Sequence, residues 1–269
     1  MSGTESVIWF IGIALFTVFA WWGGVCLGRG HAWVGRLTIV AGIGLILAWG
    51  WLIRHPATAV SLIPVGILSR IEGVGGVPLF MMVLGAAWAR CEVARQRVVI
   101  GWAMMFGAIY FVNGGMWMLQ ETPASVMGQT VSAHDIRQSQ DYSCVPAACA
   151  TALNLLEIPS TEKEMAELTQ TRPGTGATMI RALDGLERRL RGGELRPILS
   201  APRYEELSDL PMPLLTPLQF EATRQHMVVI VKVTDDGVWF MDPMDGYQYF
   251  VHEEFSRLYR NQVIEFRSF

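Results

Sequence analysis

The first 119 residues contain very little charge, which separates them from the rest of this 269-residue chain. They include no lysine, and their only acidic residues are Glu5, Glu72 and Glu92. The same segment holds nine of the ten tryptophans. The remaining residues carry most of the charge, so the chain divides into an apolar N-terminal part and a part typical of soluble domains. A net charge of -3 gives no indication of a nucleic-acid partner.

The sequence also has few cysteines, and their spacing excludes several classes of site. The four are Cys26, Cys91, Cys144 and Cys149, with no CxxC pair and no zinc-ribbon spacing. We therefore expect neither a metal site nor a disulfide framework, and no organic cofactor is indicated. The chain contains no GxxxxGK[ST] motif, so it supplies no ATPase of its own.

Four apolar runs predict an all-α transmembrane region in residues 1–119. Each is almost free of charge and long enough, or nearly so, to cross about 30 Å of hydrocarbon as a helix. A buried core of a soluble protein would rarely contain four such runs in succession. The segment Ala57–Leu68 is too short to span and is broken by Pro64, so it is either a re-entrant or interfacial segment or a bent part of the third span. The predicted spans are 7–28, 37–53, 74–89 and 98–119.

The arginines between these runs predict the orientation of the chain. Short cytoplasmic loops carry more Lys and Arg than loops on the outer face. The first and third loops together contain five of the seven arginines, and the second loop also contains Glu72, so both termini are predicted to lie on the outer face of the membrane, most simply a bacterial inner or cell membrane. The arginines are Arg29 and Arg36 in the first loop, Arg54 and Arg70 in the second, and Arg90, Arg95 and Arg97 in the third.

A predicted linker over 120–131 leads into a domain over 132–269 that mixes helices and strands. A helix is predicted over Cys144–Leu156, and Thr161 and Thr178 have the position of N-caps for two further helices. Because the helices come first and a run of strands follows, the pattern favours an α+β fold with an antiparallel sheet. The predicted strands are Arg196–Leu199, Leu214–Leu218, His226–Val233, Val238–Met241, Tyr247–Val251 and Val263–Phe266.

Four residues of this domain form a pattern suited to thiol chemistry. Cys144 is at the predicted start of a helix, where the partial positive charge favours thiolate over thiol. His226 begins an apolar strand, and Asp242 follows the next strand, so a hairpin can bring the imidazole and the carboxylate together. Gln138, six residues before the cysteine, can donate its amide to an oxyanion. Each residue alone is more typical of a structural role, such as a buried cysteine, a structural histidine or an aspartate in a turn. Only the four together indicate catalysis.

The order of these residues and the sequence around each of them resemble papain-like cysteine peptidase family 39, the bacteriocin-processing or double-glycine leader peptidases. The matching stretches are QSQDYSCVPAACATALNLL, GTGATMIRALDGLERRL and HMVVIVKVTDDGVWFMDPMDG. The resemblance implies a papain-like fold, with Cys144, His226 and Asp242 as the catalytic triad and Gln138 as the oxyanion residue. Ser143 and Val145 replace the acid and the glycine that usually flank the family's cysteine, and Val145 is expected to crowd the floor of the cleft.

The sequence thus predicts a membrane-anchored cysteine peptidase that cleaves a peptide or leader through a thioester acyl-enzyme. The expected partners are a peptide substrate and the lipid bilayer, and the resemblance suggests a separate ATP-driven exporter as a further one. Two alternatives share the same residues. One is a non-catalytic module that binds peptide in the same cleft, and the other is an acyltransferase that passes the acyl group to an amine instead of water.

Overall fold

The computed structural model describes residues 3–132, 134–220 and 225–268, which fall into two compact units. The first unit comprises Met1–Ala59 and Arg70–Glu121, and the second comprises Val60–Ser69 and Thr122–Phe269. Each unit has its own core and is described by itself below.

The N-terminal segment is helical, as the apolar runs predict. The helices are α1 Gly3–Arg29, α2 Ala32–Arg54, α3 Pro56–Leu62, α4 Val65–Ile71, α5 Gly76–Arg90 and α6 Ala94–Gly115, which continues into a 3₁₀ turn over Met116–Leu119. Of these, α1, α2 and α6 are long and apolar enough to cross a membrane. Two shorter helices, α4 and α5, meet at a bend of 57° and together make a fourth candidate span or a re-entrant loop.

The segment left open by the sequence, Ala57–Leu68, is divided between α3 and α4. The break falls at Ile63 and Pro64, where the proline lacks the N–H that a continuous helix would need. The bend between α4 and α5 keeps both earlier possibilities, a bent third span and a re-entrant segment.

Within the first unit, α1 and α5 approach through glycines. A Cβ added at Gly28 would lie 2.6 Å from the carbonyl oxygen of Ala86, and one added at Gly24 would overlap the carbonyl of Met82. A glycine spaced four residues from another leaves a groove in which a second backbone can lie, which is how helices pack closely where water does not drive association. The neighbouring Gly23 has nothing within 4 Å of an added Cβ.

The second unit is an α+β domain, which confirms the predicted fold class. Its helices are α7 Cys144–Leu155, α8 Glu162–Leu168, α9 Met179–Arg189 and α10 His252–Leu258. Its strands are β1 Gln129–Ser132, β2 Asp135–Arg137, β3 Leu195–Ser200, β4 Leu214–Leu218, β5 His226–Val233, β6 Gly237–Asp242, β7 Gly246–Val251 and β8 Val263–Ser268. Strands β1 and β2 form a separate pair that comes first in the chain. Helices α7, α8 and α9 follow, and then the six-stranded antiparallel sheet of order β3-β8-β4-β5-β6-β7, with α10 between β7 and β8.

The caps and turns predicted from the sequence set the bounds of these elements. The hydroxyls of Thr161 and Thr178 accept the backbone N–H groups of Glu164 and Arg181, so both threonines cap their helices. Strands β5 and β6 form the predicted antiparallel hairpin, in which Thr234 N donates to the carbonyl of Gly237. The core against the sheet is apolar and fully buried at its centre: Leu207, Leu214, Leu218, Val228, Ile230, Val238, Phe240, Phe255, Tyr259 and Val263.

Three elements of the second unit were not predicted. Strand β1 begins inside the segment 120–131, which the sequence predicts as a linker, and it pairs with β2, which follows that segment. A 3₁₀ helix covers Tyr204–Asp209, between β3 and β4. All three are short and lack the apolar periodicity on which a sequence-based assignment depends.

We expect Gly24→Ala to destabilise the first unit, whereas Gly23→Ala should leave it unchanged. The added methyl of the first variant must displace the α5 backbone, and overpacking of this kind typically costs about 1–3 kcal/mol. Nine of the ten tryptophans lie in residues 1–119, so tryptophan fluorescence during thermal unfolding in detergent reports mainly on this unit. Equal melting temperatures for the two variants would contradict the close approach of α1 and α5.

Candidate active site

Cys144 is the first residue of α7, as the sequence predicts. Pro146 lies in the first turn of this helix, where its missing N–H costs no hydrogen bond. The sulfur therefore lies at the positive end of the helix dipole. Backbone N–H groups of Met227 and Val145 also bond to it. These groups all stabilise negative charge on sulfur.

His226 and Asp242 meet because β5 and β6 are hydrogen-bonded neighbours. His226 is the first residue of β5 and Asp242 the last of β6, and Nε2 of the imidazole lies 2.7 Å from Oδ1 of the carboxylate. The two side chains are 15% and 8% exposed. The same Oδ1 accepts the backbone N–H of Met244 at 2.7 Å, which holds the carboxylate in place. With Nε2 occupied by Asp242, Nδ1 is the nitrogen left for a bond with the cysteine.

The electrostatics of the site favour a thiolate beside an imidazolium. Burial by itself would raise the pKa of Cys144, but the hydrogen bond and charge of His226 and two backbone N–H groups hold it below its ordinary value. Burial likewise opposes the charged form of His226, yet hydrogen bonds to Asp242 and Cys144 raise its pKa to about 9. The pKa of Asp242 is lowered: burial opposes this, but the bond and charge of His226 outweigh it.

Gln138 lies close to the same residues through its backbone, but its side chain is held by a neighbour. Its N–H donates to the carbonyl of Pro243 at 2.9 Å, directly after Asp242. Its Nε2 donates to the carbonyl of Gln140 at 2.9 Å, which uses one of the two amide protons. Its Oε1 is buried and makes no hydrogen bond to the described residues. Donation of the second amide proton to an oxyanion stays a prediction for this residue.

Cys144 and His226 line one cleft of about 700 Å³. Its wall includes the loop Gly174–Gly176, with which the second of the three stretches that resemble the family begins. Gly176 has φ of 62°, and a Cβ there would lie 3.0 Å from the carbonyl oxygen of Tyr142. Both the positive φ and the close approach to the Tyr142 carbonyl favour glycine at this position. No sequence signal short of the family resemblance connects this loop with the cysteine, because the contact joins distant parts of the chain.

Two further histidines of the domain, His134 and His252, are not among the residues that line this cleft. His134 is exposed and its Nδ1 lies 3.0 Å from the carbonyl of Asn154. His252 contacts Tyr204 and the carbonyl of Asp235. Asp141 lines the cleft beside Cys144. In the described part of the chain, no group of three or more His, Cys, Asp and Glu could hold a metal ion.

Comparison with known proteins identifies relatives of this domain. The chain is 33% identical over 132 residues to an uncharacterized protein of Methanothermobacter thermautotrophicus and 31% identical over 129 residues to one of Methanothermobacter marburgensis. Each alignment covers 48% of this chain and 84% of the relative. These matches therefore span nearly all of each relative but only about half of this chain.

Among solved structures, the chain is similar to the peptidase domain of Streptococcus ComA, a bi-functional ABC transporter involved in a quorum sensing pathway, with 15% identity and a TM-score of 0.44. That match covers 49% of this chain and 96% of the domain. A double glycine motif protease from an AMS/PCAT transporter, solved in complex with its leader peptide, has 18% identity and a TM-score of 0.43 over 54% of this chain and 99% of the other.

The family model for Peptidase C39 matches residues 133–268, the stretch that contains α7, the sheet and all four predicted site residues. That stretch makes up half of the chain, so the chain belongs to the Peptidase C39 family.

Proposed function

We propose that this chain is a membrane-anchored cysteine peptidase in which Cys144 is the nucleophile, His226 the general acid and base, and Asp242 the residue that orients the histidine. One observation carries the proposal. A cysteine with a lowered pKa lines the same cleft as a histidine that is held at 2.7 Å by a buried carboxylate. A module that only binds peptide has no need for this charge arrangement.

In the proposed reaction the Cys144 thiolate adds to the carbonyl carbon of a peptide bond, and a C–S bond forms. The carbonyl oxygen becomes an oxyanion, which the N–H of Cys144 and the free amide proton of Gln138 stabilise. When the tetrahedral intermediate collapses, the C–N bond breaks and the His226 imidazolium gives its proton to the leaving amine. The neutral imidazole then takes a proton from water, whose oxygen attacks the thioester carbon and forms a C–O bond. The C–S bond breaks, which releases the carboxylic acid and restores the Cys144 thiolate beside the His226 imidazolium.

The substrate we propose is a peptide or leader segment with small residues at the bond that is cut. Val145, immediately after the nucleophile, lines the cleft and is only 5% exposed, so its side chain fills space on the floor of the cleft. Ala177 and Met179 line the cleft as well. One of the similar solved structures is a double glycine motif protease in complex with a leader peptide. For any ATP-driven step we propose a separate exporter as partner, since these 269 residues contain no GxxxxGK[ST] motif.

The proposed location is a bacterial inner or cell membrane with the peptidase domain on the outer face. The three or four apolar helices support the anchoring. A count of four spans supports the orientation, because it puts five of the seven arginines between the spans on the cytoplasmic side.

We expect Cys144→Ala to abolish labelling by a Gly-Gly acyloxymethyl ketone, a probe that reacts with a nucleophilic thiol in a peptidase cleft. The matched control is Cys149→Ala on the same helix. Cys149 is completely buried, and burial raises the pKa of its thiol, so its removal should leave labelling unchanged. Equal labelling of the wild type and the Cys144→Ala variant would overturn the assignment of the nucleophile.

The pH dependence of Cys144 alkylation by iodoacetamide should report on the thiolate–imidazolium pair. Asp242→Asn removes a charge that raises the pKa of His226, so the histidine loses its proton below its present value of about 9. The thiolate then loses its neighbouring cation, and the pKa of Cys144 rises. At any pH below the pKa of Cys144, the alkylation rate should fall by about tenfold for each unit of that rise, because the thiolate fraction falls by the same factor.

The control for this measurement is Asp245→Asn, which removes an exposed carboxylate three residues away. This variant should leave the pH dependence of Cys144 alkylation the same as in the wild type. Profiles of Asp242→Asn and wild type that coincide would show that the carboxylate does not act on the histidine charge.

The orientation can be tested with a membrane-impermeant maleimide applied to intact cells. A Cys26→Ser/Cys91→Ser variant retains Cys144 and should be labelled, because its cleft is predicted to face outward. A Cys26→Ser/Cys144→Ala variant retains Cys91, between α5 and α6, and should react only after the cells are permeabilised. The reverse pattern would place the peptidase domain in the cytoplasm.

A further inference from the structure

A buried carboxylate lies beside the loop that leads to the nucleophile. Glu162 is the first residue of α8 and is 1% exposed. Its Oε1 accepts the backbone N–H of Ser139 at 3.0 Å, and its Oε2 accepts the Ser139 hydroxyl at 2.7 Å. Both donors are neutral. A carboxylate removed from water needs such bonds, and two of them from one residue fix that residue in both position and orientation.

The surroundings of Glu162 leave little freedom for this contact to shift. A Cβ added at Gly128 would lie 2.7 Å from Glu162 Cβ and 2.9 Å from its Oε2, so the backbone at Gly128 closes directly over the side chain. The Ser139 hydroxyl, while donating to Glu162, accepts the N–H of Met127 at 3.1 Å. The carboxylate therefore joins the loop to α8 in a tightly enclosed place.

Ser139 is the neighbour of Gln138, so its position determines where the glutamine lies. On its other side, the carbonyl of Gln140 accepts Nε2 of Gln138 at 2.9 Å and the hydroxyl of Ser143 at 2.9 Å. The N–H of Gln138 bonds to the carbonyl of Pro243. The loop from 138 to 143 is thus anchored to the start of α7, to the turn after Asp242 and, through Glu162, to α8.

We propose that Glu162 is a positioning residue for catalysis, which holds Ser139 so that the free amide proton of Gln138 points at the oxyanion. The inference rests on the proposed peptidase function. Glu162 itself touches neither substrate nor the reacting atoms. Its effect should therefore appear only in steps that form an oxyanion, and only while Gln138 is present.

Two reactions of the full-length protein in detergent separate this role from a general effect on folding. Acylation of Cys144 by benzyloxycarbonyl-Gly-Gly p-nitrophenyl ester forms a C–S bond through an oxyanion and releases p-nitrophenolate. Alkylation by iodoacetamide displaces iodide at a saturated carbon, forms no oxyanion and depends on the thiolate alone. The first reaction is followed by absorbance, and the second by the mass of the peptide that contains Cys144.

We expect Glu162→Gln to slow acylation by about tenfold or more, since misplacement of a group near the reacting atoms by about 1 Å can cost up to 10²-fold. Iodoacetamide alkylation and its pH profile should stay unchanged. Ser139→Ala removes only the hydroxyl and should slow acylation by a smaller factor, again without a change in alkylation. This second variant tests the same contact if Glu162→Gln folds poorly. The matched control is Glu164→Gln, two residues along α8, where the side chain is 39% exposed.

A double-mutant cycle with Gln138→Ala gives the deciding result. Removal of an oxyanion donor should itself slow acylation by about 10²–10³-fold. Glu162→Gln should add little in that background, because its effect passes through Gln138. A loss of the same size in both backgrounds, or no loss in either, would overturn the positioning role. A wild-type protein that acylates no faster than Cys144→Ala would instead refute the peptidase function, and the positioning role with it.

Discussion

The contact between a thiolate and an imidazolium is the interaction on which the rest of the site depends. Burial works against both charges, because each would be better solvated in water. The pair forms because each charge neutralises the other, because Asp242 adds a second negative charge at 2.7 Å from the histidine, and because the start of α7 favours an anion on Cys144. The cysteine thus has a lowered pKa although it is largely enclosed, whereas Cys149, on the same helix without these partners, has a raised one.

The fold supplies this contact through two kinds of placement, and they differ in how far the sequence predicts them. The His226–Asp242 pair is local: an Asp-Asp-Gly turn joins two strands of clear β pattern, so their ends had to meet. The start of α7 at Cys144 is also local, because it follows from apolar periodicity and an early proline. The approach of Cys144 to His226 joins residues 82 apart, and no propensity encodes it. Only the resemblance to a known family predicted it, and the shared cleft agrees.

What the sequence did not predict are the buried polar contacts that hold the site in shape. Glu162 and Glu164 are two similar acids in the first turn of one helix, and nothing in the local pattern tells which is buried. Glu162 is the buried one because the backbone at Gly128, directly before β1, packs against its side chain. Strand β1 is too short to be predicted from the sequence. The same limit applies to residues 1–119. The helices there are evident from composition, but in the sequence Gly24 and Gly28, at the contact of α1 with α5, look no different from Gly23, where an added Cβ would have nothing within 4 Å.

The polar residues of the loop before Cys144 bond in two different directions. Ser143 turns the chain into α7 by bonding to Gln140, which places the sulfur. Ser139 is held from α8, which places the glutamine before it. An oxyanion donor must lie within a few tenths of an ångström of its position before the reaction begins, because reorganisation during the reaction would cost the free energy that the donor contributes. A loop fixed by a buried carboxylate meets that requirement better than one fixed by exposed side chains, whose bonds compete with water.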